Sequence, residues 1–133
     1  MSKEKVLNIW AEFFNSRGIS PIISEQYLVY VAKLLDSNVP IIFDFNHLAL
    51  LLGRERLYLS SVVNGSINHY IDFKLKKRNG TYRDITVPFP ALLEMQYWIF
   101  NNILKSISVN SSAQGFVHKK SIVTNAKIHV GQK

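Results

Sequence analysis

Apolar residues recur at helical spacing through the first half of the chain and then alternate strictly, so helices precede a ribbon. Val6, Ile9, Trp10, Phe13 and Phe14 mark one face of a helix over residues 3–15, ending before Arg17-Gly18. Ser24 is suited to cap a second helix with Tyr27, Leu28, Val31, Leu34 and Leu35 on its buried side, closed by Asp36-Ser37-Asn38 and Pro40. Asp44 or Asn46 can cap a third helix carrying Leu48, Leu51 and Leu52, broken near Gly53. A fourth covers roughly 55–64 and leaves through Asn64-Gly65. The period then becomes two on either side of Asn79-Gly80, within Phe73-Lys74-Leu75-Lys76-Lys77-Arg78-Asn79-Gly80-Thr81-Tyr82-Arg83-Asp84-Ile85-Thr86-Val87-Pro88, which predicts a tight β-hairpin.

Pro88 and Pro90 reset the chain, and Leu92, Met95, Ile99, Ile103 and Ile107 line a long helix through about residue 107. Residues 108–118 read as irregular around Gln114-Gly115-Phe116, and a last helical segment runs from Ser121 to Ala126. The ending Ile128-His129-Val130-Gly131-Gln132-Lys133 reads as an approach to a strand, which suggests a truncated or split polypeptide. The expected fold is α+β, mostly helical with a basic antiparallel β-hairpin. Residues 1–68 form a helical N-terminal region and residues 69–133 a hairpin-and-helix region. No linker is long enough to divide them, so they are expected to be one structural unit.

Charge sharpens this pattern. The 133-residue chain has an apolar content suited to a real core, and its net charge is +7. Residues 1–68 carry six basic and six acidic side chains, which cancel. Residues 69–133 carry ten basic against three acidic, so the whole excess lies in the second half. Five of those cations sit on the hairpin with a single acid, Asp84. A solvated face that only aids solubility is the plain alternative, but cations gathered on one ribbon point to a polyanion, nucleic acid above all. With no cysteine, disulfides and thiolate metal sites are excluded, which fits a reducing cytoplasm. No signal peptide is visible, and the apolar stretches are too short to span a bilayer, so no membrane partner is expected.

Enzymatic signatures are nearly absent. There is no Gly-rich phosphate loop followed by Lys-Ser/Thr, no His-Glu-x-x-His and no Gly-x-Ser-x-Gly. His47, His69, His118 and His129 lack metal-ligand spacing and read as surface or locally bonded residues.

The order of the remaining motifs resembles the N-terminal part of bacterial reverse transcriptases of the retron type and their defence-associated relatives. The matching pieces begin with Leu75-Lys76-Lys77 and Gly80-Thr81-Tyr82-Arg83-Asp84-Ile85, with Pro88 and Pro90. Then come Leu92-Leu93-x-x-Gln96-x-Trp98-Ile99 with Asn102-Ile103-Leu104, Gly115-Phe116 with Lys120-Ser121-Ile122, and Asn125-Ala126-x-x-His129. The segment from His47 to Gly53 looks like that family's helical lead-in, so the likeness covers roughly residues 45–133. It implies the fingers region of an RNA-directed DNA polymerase, a nucleotidyltransferase, with a place in antiviral defence. Lys77 and Arg83 then match the basic pair that closes on the triphosphate of an incoming deoxynucleotide. Lys74, Lys76, Arg78, Lys119 and Lys120 would hold the RNA template and DNA primer or product. Lys119 stands where the family often has Gly. Trp98 and Phe116 are expected to pack, and Gln96 to orient the long helix. The resemblance also implies that the carboxylates holding Mg²⁺ lie in the palm, beyond residue 133, so this chain carries no cofactor and no catalytic residue. Taken alone it is expected to be inactive, its palm supplied by the missing region or by a second chain.

Two other readings compete. Residues 46–65 have the rhythm of a helix-turn-helix, with Arg54, Glu55, Arg56, Ser60 and Ser61 as its base-reading candidates, though in a half of zero net charge. Alternatively, the chain is a non-catalytic RNA-binding accessory subunit.

Overall fold

A computed structural model describes residues 1–131. Helices α1 (Lys3–Ser16), α2 (Pro21–Asp36), α3 (Phe45–Leu51) and α4 (Arg56–Asn64) precede a ribbon of β1 (Tyr70–Lys76) and β2 (Tyr82–Pro88). Helix α5 (Pro90–Asn102), a single 3₁₀ turn (Leu104–Ser106) and α6 (Ile122–His129) follow. The architecture is α+β, as the pattern predicts.

Helices α1 and α2 pack as a pair, the Ser2 hydroxyl accepting from the Lys5 N–H at the head of α1. The second helix starts before Ser24. Pro21 occupies its first turn, where a fixed φ and a missing N–H are advantages, and Ser20 is the extended residue ahead of it. Ser24 therefore lies inside the helix, its N–H bonded to the Ser20 carbonyl at 2.9 Å. The far end of the pair is closed by Lys3 and Asp36 at 2.6 Å, an exposed ion pair worth at most about 1 kcal/mol.

Two small cores result. The first gathers the rings of Trp10, Tyr27 and Phe43 around the buried Phe14, with the Trp10 and Phe43 centroids 5.1 Å apart; Val31 of α2 is also buried. Ile9 and Phe13, expected on the buried side of α1, remain nearly half exposed because α2 covers only part of that face. The second core gathers Ala49, Leu59, Leu92 and Met95 from α3, α4 and α5, flanked by Leu48, Leu52, Tyr58 and Val62. It joins residues from either side of position 68. The Phe43 ring also lies parallel to that of His47 on α3. Of the two candidate caps for α3, Asp44 serves, accepting the His47 N–H at 2.7 Å.

Helix α5 is shorter than its apolar periodicity predicts. At its end the Asn102 side chain donates to the Trp98 carbonyl at 2.8 Å, and Ile103, at φ −119°, is the closing cap residue, its N–H bonded to the Ile99 carbonyl. A side chain competing for a backbone carbonyl in this way favours a helix end. Ile107 is thereby removed from the face it was expected to share and is exposed. At the other extreme, α6 is longer than expected. A reciprocal cap between Ser121 and Thr124 starts it, and it continues through Ile128 and His129, which are helical rather than the start of a strand. The last two residues of that expected strand, Gln132 and Lys133, lie outside the described residues. Among the described residues, no helix is long and apolar enough to cross a membrane.

Candidate nucleic-acid and nucleotide site

The ribbon's register determines how its cations are displayed. Tyr70 pairs with Pro88, Phe73 with Ile85, Lys74 with Asp84, Leu75 with Arg83 and Lys76 with Tyr82. One step further, the Lys77 N–H donates to the Thr81 carbonyl at 2.7 Å and the Gly80 N–H to the Lys77 carbonyl at 3.0 Å. Gly80 has φ +85°. This is a three-residue loop with a glycine bulge, a tight hairpin connection of the kind the Asn-Gly pair signals. Asn79 escapes the left-handed region, and its carboxamide oxygen instead accepts from the N–H and hydroxyl of Thr81. Gly80 alone takes the positive φ that a side chain resists.

Because neighbours on a strand point to opposite faces, the register sorts the side chains into two sets. Ile71, Phe73, Leu75, Ile85 and Val87 share one face, with Lys77 and Arg83 at its distal end. Lys74 and Lys76 lie on the other face with Tyr70, Asp72, Tyr82, Asp84 and Thr86. Arg78 occupies the tip. The Thr86 hydroxyl donates to Asp72 on that second face. Every residue of β1 is exposed, and none of the hairpin cations forms an ion pair with an acidic side chain of the described residues. Lys119 and Lys120 stand apart in the loop before α6, and no hydrogen bond of the described residues ties them to the ribbon. Lys119 has φ +62°, in the left-handed region that glycine adopts most readily.

The base of the ribbon is tied down by His69, which the sequence presents as a surface or locally bonded residue and which is the latter. His69 is 7% exposed, and its Nε2 lies 3.0 Å from the Ser61 hydroxyl of α4. That hydroxyl donates its single proton to the Tyr58 carbonyl at 2.7 Å. Its lone pair therefore faces a protonated Nε2, which fixes the imidazole tautomer. The Tyr58 ring meets the imidazole edge-on at 5.2 Å between centroids. The His69 carbonyl accepts the Phe89 N–H at 2.8 Å, closing the ribbon where α5 begins. Nothing in the sequence spacing of Ser61 and His69 marks this pair; only the packing of α4 against the strand entry reveals it.

The groups considered for a helix-turn-helix are partly consumed by packing. Arg54 is ion-paired with Glu94 of α5, and Ser61 is buried at 9% exposure against His69. Phe116, expected to pack, is fully exposed, and Trp98 is half-buried. Among the described residues no group of three His, Cys, Asp or Glu side chains is placed to hold a metal ion.

No protein-family model and no solved structure matches the chain. Among curated proteins it is similar to Retron Mx162 reverse transcriptase of Myxococcus xanthus, 41% identical over 63 residues, which are 47% of this chain and 13% of that relative. It is also similar to Retron Ec73 reverse transcriptase of Escherichia coli, 32% identical over 59 residues, 44% of this chain and 19% of the relative. Retron Mx65 reverse transcriptase of Myxococcus xanthus is 33% identical over 67 residues, 50% of this chain and 16% of the relative. The match spans less than a fifth of the length of each relative. The proteins that this chain resembles over about half its length are thus the retron-type reverse transcriptases.

Proposed function

We propose that this chain is the fingers part of a retron-type RNA-directed DNA polymerase, with its ribbon gripping the triphosphate of the incoming deoxynucleotide through Lys77 and Arg83. The observation that carries the reading is the similarity to three retron reverse transcriptases, joined to a ribbon that displays those two cations on one face. The physics suits the task. Arg offers a planar fork for two phosphate oxygens, Lys a compact charge, and a two-stranded ribbon holds them at a set separation. Lys74, Lys76 and Arg78, with Lys119 and Lys120 further along the chain, would hold template and primer phosphates with little sequence preference.

Two-metal nucleotidyl transfer needs carboxylates that the described residues do not assemble, so Mg²⁺ would be held by a palm elsewhere in a longer or split enzyme. The residues of this chain would bind and orient. A cytoplasmic setting, which the lack of cysteine fits, and a role in defence against phage, suggested by the family likeness, complete the proposal.

The test is steady-state kinetics of a polymerase comprising this region and its palm. Lys77→Ala and Arg83→Ala should each raise the KM for deoxynucleotide by about 10-fold or more, the scale of a lost charge-assisted contact. The Kd for template-primer should change far less. Unchanged nucleotide KM in both variants refutes the assignment.

A further inference from the structure

Asparagine is followed by glycine twice in the chain, at Asn64-Gly65 and at Asn79-Gly80. Glycine has no Cβ to shield its own nitrogen, so this dipeptide lets the asparagine carboxamide be attacked by the next backbone nitrogen. The two pairs share that chemistry and differ in what the fold adds to it.

Asn64 is the last residue of α4. Its Nδ2 donates back to the Ser60 hydroxyl, one turn earlier, at 3.0 Å, which holds the carboxamide away from Gly65. Asn79 lies in the loop at the ribbon's tip, and its Oδ1 accepts the Thr81 N–H at 3.2 Å and the Thr81 hydroxyl at 2.7 Å. To meet a donor two residues ahead, the carboxamide curls forward across the Gly80 peptide unit. The same two bonds draw electron density onto Oδ1 and make the amide carbon more electrophilic. Asn79 and Gly80 are exposed, and nothing stands within 4 Å of a carbon built on Gly80, so the approach is open. Arg78 beside them, with Lys77 and Arg83 at the same end of the ribbon, favours the anion that forms on the Gly80 nitrogen. The Gly80 N–H must first leave the Lys77 carbonyl, 3.0 Å away. Opening an exposed loop tip costs little, whereas Asn64 must give up α4 and its bond to Ser60 together.

We propose that Asn79 is a self-modification site, converting to aspartate and isoaspartate with no enzyme. The Gly80 nitrogen bonds to Asn79 Cγ and loses its proton to solvent base. The Cγ–Nδ2 bond breaks, and the amide nitrogen takes a proton from solvent and leaves as ammonia. The cyclic imide then takes up water, opening at one carbonyl to aspartate and at the other to isoaspartate. Water enters, ammonia departs, and nothing is oxidised or reduced. Residues 73–88 carry five cations and one acid, an excess of four, which the new carboxylate beside Arg78 lowers to three. Isoaspartate also adds a methylene to the backbone of the loop that sets the register. The ribbon therefore loses charge with age, whichever anion it serves.

The experiment holds the 133-residue chain in warm, mildly alkaline buffer, with and without urea, and follows both sites by peptide mass spectrometry. Circular dichroism confirms that the sample without urea stays folded. There, Asn79 should convert about 10-fold faster than Asn64, and in urea, where only the shared dipeptide matters, the two rates should agree within about 2-fold. Backbone fragmentation should find isoaspartate at position 79, a product that direct attack by water on the side chain cannot give. On a cation-exchange column the aged chain should yield an earlier peak that comigrates with Asn79→Asp and is missing from aged Asn79→Gln, whose longer side chain closes a ring far more slowly.

Equal rates at the two sites in the folded chain overturn the proposal, as does no conversion at Asn79 without urea. Aspartate at position 79 with no isoaspartate overturns the cyclic step and the proposal with it.

Discussion

Ser61→Ala removes one oxygen that serves two partners. The Tyr58 carbonyl loses its hydroxyl donor, and it retains the alternatives open to a helix carbonyl. His69 has less recourse, because its Nε2–H is directed at that oxygen inside a residue only 7% exposed. Leaving a buried donor unpaired costs about 1–3 kcal/mol. His69→Leu costs a comparable amount for a different reason, since it removes the same hydrogen bond and the edge contact with Tyr58. In the double variant no polar hydrogen is left stranded. Its loss should fall short of the summed single losses by about 1 kcal/mol or more.

Urea unfolding of the four proteins measures this cycle. With a slope of about 1.5 kcal/mol/M, Ser61→Ala should move the midpoint down by roughly 1 M. Amide exchange should accelerate at Phe89, whose N–H is bound to the His69 carbonyl, before it does in α1 or α2. Single-variant losses that add within about 0.5 kcal/mol would refute the coupling, and with it the view that this pair seats the ribbon on α4.

Other perturbations test the packing and the turn. Leu92→Ala should cost about 2–5 kcal/mol in the same unfolding assay, because Leu92 joins α5 to Ala49 and Leu59 in a core with few members. A loss below 1 kcal/mol would show that α5 is not anchored there. Gly80→Ala should destabilise by about 1 kcal/mol through strain at φ +85° alone, since nothing stands within 4 Å of the added carbon. Gly115→Ala, whose site is equally open without a positive φ, is the control and should be close to neutral.

Much of this fold was legible because its strongest signals are local. Helical periodicity placed α1 and α4 to within a residue or two, and the alternation around Asn79-Gly80 placed both strands. Misplaced boundaries arose where one residue type suits two roles. Ser24 is a good cap in isolation, but Pro21 is a better first-turn residue, and the helix starts from it. Ile103 and Ile107 continue the apolar spacing of α5, yet Asn102 ends that helix through its own side chain. The Asn-Gly pair marked a tight turn but not its length, because it serves a glycine-bulge loop as well as a two-residue one. The seven candidate cations were readable from charge and family likeness. Which face each occupies depends on register, which the turn sets. The Ser61–His69 contact and the exposure of Phe116 depend on tertiary packing, and no spacing rule could have disclosed them.

Register also limits what the ribbon can grasp at once. Lys74 and Lys76 leave the backbone on the side opposite Lys77 and Arg83. A compact anion lying against one side is therefore out of reach of the cations on the other. Only Arg78, at the apex, can lean either way. Neutralising all five charges together takes two separate anions or a polymer that wraps the edge, so occupancy of one side leaves the other free to fill.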